Sequence, residues 1–269
     1  MTLYADRQSR LTISDLLTMK QSGEKITCLT AYDASFTALL EQCGIEVILI
    51  GDSLGMVIQG HDNTLPVSVD EMSYHCRCVS KARQRALLIG DLPFASYASA
   101  DQALHNAAQL IQDGGVDMVK LEGNKIETIT HLTANGIPVC GHLGLLPQSV
   151  NLLGGYKVQG RDPKQAERLL QDAGEIAAAG ASLLVLECIP AELAGKISRA
   201  IDIPVIGIGA GPECDGQVLV IYDMLNISIG NRPRFSKNFM QDCNSIEGAI
   251  RAYHGAVKNS QFPGAEHSY

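Results

Sequence analysis

The sequence predicts a (β/α)8 barrel. Short aliphatic runs alternate with amphipathic helical stretches from residue 26 almost to the end, the mark of successive βαβ units. The runs are almost continuously apolar, as expected of parallel strands covered on both faces. About eight such pairs fit in a chain of 269 residues, the size of one barrel, so residues 1–269 are read as a single domain. The competing fold is an open, Rossmann-like sheet. Against it, the one suitable glycine cluster, GIGAG at 207–211, comes late and does not supply G-x-G-x-x-G at the first βα turn.

In chain order, a leading helix is expected near 13–20. Strands are expected at 26–31, 46–51, 86–90, 117–122, 137–141, 183–187, 203–207 and 218–222. Ser99 with Gln102 forms a capping-box pattern ahead of Ala103, Leu104, Ala107, Ala108 and Ile111 at helical spacing, and Gly114-Gly115 stops that helix. Asp162-Pro163 opens another, with Ala166, Leu169, Leu170, Ala173, Ile176 and Ala177 on one face. A trailing helix is expected near 245–257. No repeat, low-complexity tract or linker divides the chain.

Composition narrows the function. A hydrophobic content of 46% with 19% charged residues is enough for a substantial core. A formal net charge of -8 argues against nucleic acid or an anionic membrane as partner and leaves small molecules. The N-terminal stretch is broken by charges, unlike a secretory signal, and the longest uncharged, mostly apolar run, 176–186, falls well short of the ~20 residues of a membrane span. A cytoplasmic location is expected. The 8 cysteines include no CxxC pair and read as reduced, mostly buried residues; Cys76 and Cys78 match no zinc-site spacing.

Polar groups recur at the C-terminal ends of the strands, where barrels carry their chemistry. TAYD ends on Asp33, ILIGDS on Asp52 and Ser53, LLIGDLP on Asp91, MVKLEG on Lys120 and Glu122, PVCGHLG on His142, and LLVLECIP on Glu187. In a closed barrel these acids converge, and a divalent cation relieves their repulsion. Oxygen donors without paired His or Cys suit a hard ion such as Mg²⁺. Lys120 and Glu122, two apart, point to the same side of their strand. Glu187 follows a strongly apolar run, where partial desolvation would raise its pKa into the range of a general base. Each residue also has a structural reading. Asp33 and Asp52 could cap helices, Asp91 could form a turn, Lys120 and Glu122 could pair only with each other, Glu187 could be a buried structural acid, and His142 could hydrogen-bond within the core.

GDSLGMVIQGHDNTLPVSVDEM (51–72), DLPF (91–94), MVKLEG, PVCGHLGLLPQSVN, GGYKVQGR (154–161), LLVLEC and IPVIGIGAG follow one another in the order seen in the ketopantoate hydroxymethyltransferase family. The chain resembles that family from about residue 26 to the closing FPGAEHSY. The resemblance implies a (β/α)8 barrel, Mg²⁺ dependence, a cytoplasmic place in pantothenate synthesis and a homo-oligomer, commonly a decamer. It also implies a hydroxymethyl transfer from 5,10-methylenetetrahydrofolate to the 2-oxo acid 3-methyl-2-oxobutanoate, through a metal-stabilised enolate. In that reading Asp52 and Asp91 are metal ligands, Glu122 completes or buttresses the metal shell, Asp52, Ser53, Asp91 and Lys120 hold the oxo acid, and Glu187 accepts the proton. GAGPECDGQ (209–217) and GNRPRFSKN (230–238), with Arg232 and Arg234, depart from the family pattern, as does Leu146 where threonine is familiar. Two other classes use the same residues: a metal-dependent lyase for another oxo acid, with a Schiff base on Lys120 as a variant, and a catalytically silent oligomer that binds an oxo acid or a partner protein.

Overall fold

The computed structural model describes residues 10–230 and 232–269. Eight strands make the inner wall: β1 Ile26–Thr30, β2 Val47–Ile50, β3 Leu87–Asp91, β4 Met118–Glu122, β5 Val139–Gly144, β6 Leu183–Glu187, β7 Val205–Ile208 and β8 Gly216–Leu219. They are parallel and pair in sequence order, and β8 returns to β1 with Gly216 opposite Ile26, so the barrel is closed. Gly216 permits that closure. A Cβ there would lie 2.4 Å from the Ile26 carbonyl oxygen, so only glycine lets the two strands meet at this level.

Helices Ala34–Gln42, Val69–Ala82, Ala100–Gln112, Ile126–Ala134, Pro163–Ala178 and Ala191–Ala200 fill the first six connections, and Ile13–Ser22 precedes β1. Their starts follow from local chemistry. Asp33, Ser68, Ser99 and Asp162 each accept a backbone N–H of the first turn. Ser99 accepts from the Gln102 amide as expected, but the Gln102 side chain reaches the amide of Ala98 rather than that of Ser99, so the box is not reciprocal at one residue. The seventh connection, 209–215, carries no helix, a departure from eight regular βα pairs. The helix Ile246–Lys258 lies on the outside of β1 instead, and the Tyr253 hydroxyl sits 2.9 Å from the carbonyl oxygens of both Cys28 and Gln217, bridging β1 and β8.

Two strands differ from the sequence reading. β8 is Gly216–Leu219, not 218–222: the apolar pair Ile221-Tyr222 opens the short helix Ile221–Met224, and the strand instead begins on a glycine and a glutamine, residues of low β propensity. β5 runs to Gly144, beyond the expected 141, so His142 is a strand residue and not a loop residue. Cys76 is buried, Cys78 half-buried, and neither forms a disulfide.

Candidate active site

Alternation along each strand decides which side chains enter the barrel. Asp91, Lys120, Glu122, His142 and Glu187 all face the interior at its C-terminal end and, with Asp52 and Ser53 just beyond β2, line one cavity of about 510 Å³. Register sets their neighbours: Asp91 is level with Lys120, Glu122 with His142, and Gly144 with Glu187. Asp33 is not in the cavity. Its Oδ1 accepts from the Phe36 amide at 2.9 Å, so it caps the helix that follows.

Asp91 Oδ2 accepts from the Asp52 amide at 3.0 Å, and its Oδ1 lies 2.9 Å from Lys120 Nζ. Lys120 therefore pairs across strands with Asp91 rather than along its own strand with Glu122. The Ser53 hydroxyl lies 2.9 Å from that of Tyr32. His142 sits between charges: Nδ1 is 3.4 Å from Lys120 Nζ and 3.6 Å from Glu122 Oε1, and Nε2 is 3.3 Å from Glu187 Oε2.

Gln148 was not singled out from the sequence, yet it joins three of these groups. Its amide donates to Glu122 Oε2 at 3.1 Å, and its side-chain Nε2 donates to Asp52 Oδ2 at 2.8 Å and to the Leu92 carbonyl at 2.9 Å. The Tyr97 hydroxyl donates to its Oε1. A lone glutamine in a loop carries no signal of such a role; only its place inside the motif GHLGLLPQSVN pointed here.

Electrostatics separate the acids. Burial, then the neighbouring Asp91 carboxylate, push Asp52 up to about 7. Burial pushes Glu122 well above the carboxylate range, against the pull of Lys120, and pushes Glu187 up to about 7 against the same pull. Burial disfavours the Lys120 ammonium, but Asp91, Glu122 and Asp52 outweigh it and hold the lysine protonated. Burial and Lys120 keep His142 neutral.

The backbone around Glu187 is tightly held. Cys188 adopts a left-handed φ of 47°, and its amide donates to the Ile208 carbonyl at 2.9 Å. Gly144, at φ 96°, faces it, and a Cβ there would lie 2.2 Å from the Glu187 carbonyl oxygen.

Among the described residues, no group of three or more His, Cys, Asp or Glu side chains is gathered closely enough to cage a metal ion by itself. Two carboxylates are enough for a hard cation that keeps waters and takes substrate oxygens as ligands. Asp52 and Asp91 fit that description: both are buried, they repel each other, and Asp91 Oδ1 has Lys120 as its one charged partner among the described residues.

Comparison with known proteins identifies the scaffold. The sequence model described as ketopantoate hydroxymethyltransferase matches residues 10–265. The chain belongs to that family. A relative from Nitrosococcus oceani, a 3-methyl-2-oxobutanoate hydroxymethyltransferase, is 58% identical over 97% of this chain and 99% of its own length. One of the same name from Shewanella oneidensis is 56% identical over the same shares. Among solved structures, a phosphonopyruvate hydrolase in complex with oxalate and Mg²⁺ superposes with a TM-score of 0.58 at 14% identity, covering 96% of this chain and 93% of that one. Oxaloacetate acetylhydrolase bound to 3,3-difluorooxalacetate gives 0.58 at 12% identity, over 94% and 98% of the two chains. At such identities these likenesses speak for the barrel alone.

Proposed function

We propose that the chain transfers a hydroxymethyl group from 5,10-methylenetetrahydrofolate to 3-methyl-2-oxobutanoate, giving 2-dehydropantoate, in the cytoplasm and as a homo-oligomer, a decamer by family likeness. Family membership supports the reaction. The observation that carries the chemistry is Glu187, a largely but not fully buried carboxyl brought up to about 7 in the same cavity as Lys120 and the Asp52–Asp91 pair. No helix among the described residues is long and apolar enough to cross a membrane.

Asp52 and Asp91 would hold Mg²⁺, with Glu122 buttressing them through Gln148. When bound, the ion supplies positive charge for the carboxylate and keto oxygens of the oxo acid. Lys120, kept charged by its three carboxylates, adds a fixed positive charge beside those oxygens as the C3 proton leaves. Ser53, poised by Tyr32, orients the substrate by a hydrogen bond. Glu187 takes the C3 proton, a role suited to a carboxyl with a pKa near the working pH. Water releases the one-carbon unit of the folate donor at the formaldehyde level, the bonds from that carbon to N5 and N10 breaking as tetrahydrofolate leaves. The carbanionic C3 then adds to it while the water-derived oxygen takes up the proton held by Glu187 to become the new hydroxyl. The same charge on Lys120 speaks against a Schiff base, which needs the free amine.

Incubation of the protein with the oxo acid, Mg²⁺ and methylenetetrahydrofolate tests the proposal. Formation of 2-dehydropantoate that stops on adding a chelator is the expected result. No product with the folate donor, at any divalent ion supplied, would contradict it.

A further inference from the structure

The cavity is larger than the oxo acid needs, and its lining changes along its length. The charged strand-borne groups at the floor are Asp91, Glu122, Glu187 and a single lysine, Lys120, beside His142. Many of the loop-borne groups are apolar and aromatic, among them Leu145, Val158, Phe235 and the half-exposed ring of Tyr156, with Asp223 and Ser228 beside them. Three exposed cations, Lys157, Arg232 and Arg234, line the same cavity from the loops after β5 and β8. None of them forms an ion pair among the described residues. Arg232 reaches only the neutral side chain of Asn226 at 3.5 Å, and Arg234 donates to the Glu266 carbonyl at 3.1 Å and lies 5.4 Å over the Tyr269 ring. Elsewhere on the surface some cations are paired among the described residues, Arg199 with Glu213, Arg251 with Glu247 and Lys258 with Glu24, and others, such as Lys81 and Lys196, are not, so it is the shared cavity that sets these three apart. The outer end of the cavity therefore suits a ligand with a flat, largely apolar body and an anionic end.

We infer that Lys157, Arg232 and Arg234 form the site for the glutamate tail of the one-carbon donor, two carboxylates on an elongated aromatic body. The inference rests on the function proposed above, since the donor is named there. Guanidinium groups recognise carboxylates through paired, directional hydrogen bonds; neither arginine is tied up in an ion pair among the described residues, and the acid nearest Arg232 is Asp223, already hydrogen-bonded to Ser228. The oxo acid's own carboxylate is provided for at the floor, so the outer cations are left for a second anion. Exposure limits what each contact contributes, and three acting together make the effect measurable.

The test compares two donors, 5,10-methylenetetrahydrofolate and the corresponding methylenetetrahydropteroate, which lacks the glutamate. The unaltered chain should prefer the glutamylated donor about 10-fold or more in kcat/KM. Arg232→Gln and Lys157→Gln should each reduce that preference about three-fold and Arg232→Glu further, while kcat/KM for the pteroate donor changes little. Equal use of both donors by the unaltered chain, or variants that slow both donors alike, would overturn the assignment. Proton exchange at C3 of the oxo acid, followed without any donor, separates the two levels. Exchange without a glutamate preference removes the tail site alone. No exchange and no product would remove the proposed reaction and this site with it.

Discussion

The two ends of the barrel handle acidic residues in opposite ways. At the N-terminal end, the acids immediately before β2, β4 and β8 have dedicated partners. Glu46, just before β2, lies 2.6 Å from Lys258 Nζ and accepts from the Thr27 amide. Asp117, before β4, lies 2.6 Å from Arg83 and accepts from the Leu88 amide. Asp215, before β8, binds Lys20, Ser198 and the Val205 amide through one oxygen. At the C-terminal end, Asp52, Asp91, Glu122 and Glu187 share one buried cation, Lys120, and burial brings Asp52 and Glu187 up to about 7. The same residue types are structural where compensation is complete, and in the function proposed above they are chemical where it is withheld.

The sharpest way to break this contrast is to remove the one buried cation at the C-terminal end. Lys120→Met leaves the surrounding carboxylates without their partner and should cost about 10³-fold or more in turnover and about 3–5 kcal/mol in stability, read by product formation and denaturant melts. Asp215→Ala, at the other end, should cost about 2 kcal/mol in stability while turnover per folded molecule stays the same, because Lys20 and the Val205 amide lose an acceptor far from the cavity. A slowed turnover in that variant would blur the division.

Titration gives the next effect. Glu187 must be ionised to accept a proton, so C3 exchange should rise about 10-fold between pH 6 and pH 8 and level off above its pKa of about 7. The same raised values set the pH dependence of stability. Asp52 and Glu187 bind protons more tightly folded than unfolded, so their favourable contribution is fully present below the ordinary carboxylate range and is lost as the pH rises through about 7. The smallest effect is Asp52→Asn, which removes one of two repelling charges. In chelator at pH 8 it should raise Tm by about 2–4 °C, and it should abolish the further rise that Mg²⁺ gives the unaltered chain.

The barrel was largely legible because two-sided burial makes parallel strands continuously apolar, a signal that survives in seven of the eight strands. β8 was misplaced because closure against β1 demands Gly216, and the neighbouring apolar residues belong to a short helix. The acids that entered the cavity could be picked out because each ends an apolar run. Asp33 does so too, and only the structure separates it, as a helix cap, from the rest. Gln148, Tyr97 and Tyr32 escaped notice since neutral side chains in loops and strand ends are common everywhere; their importance lies in long-range hydrogen bonds that no local pattern encodes. The departures at Arg232 and Arg234 fall on the outer wall of the cavity, away from the buried acids, whereas Asp215, inside the other departing loop, belongs to the fully compensated end.

The central claim is that Glu187 is the uncompensated acid that moves the proton. Its most direct test is NMR of C3 proton exchange in 3-methyl-2-oxobutanoate dissolved in deuterated water with Mg²⁺, for the unaltered chain and for Glu187→Gln. Exchange that the substitution lowers about 10²–10⁴-fold, with oxo acid binding retained, is the predicted result. Unchanged exchange in the variant would contradict the account.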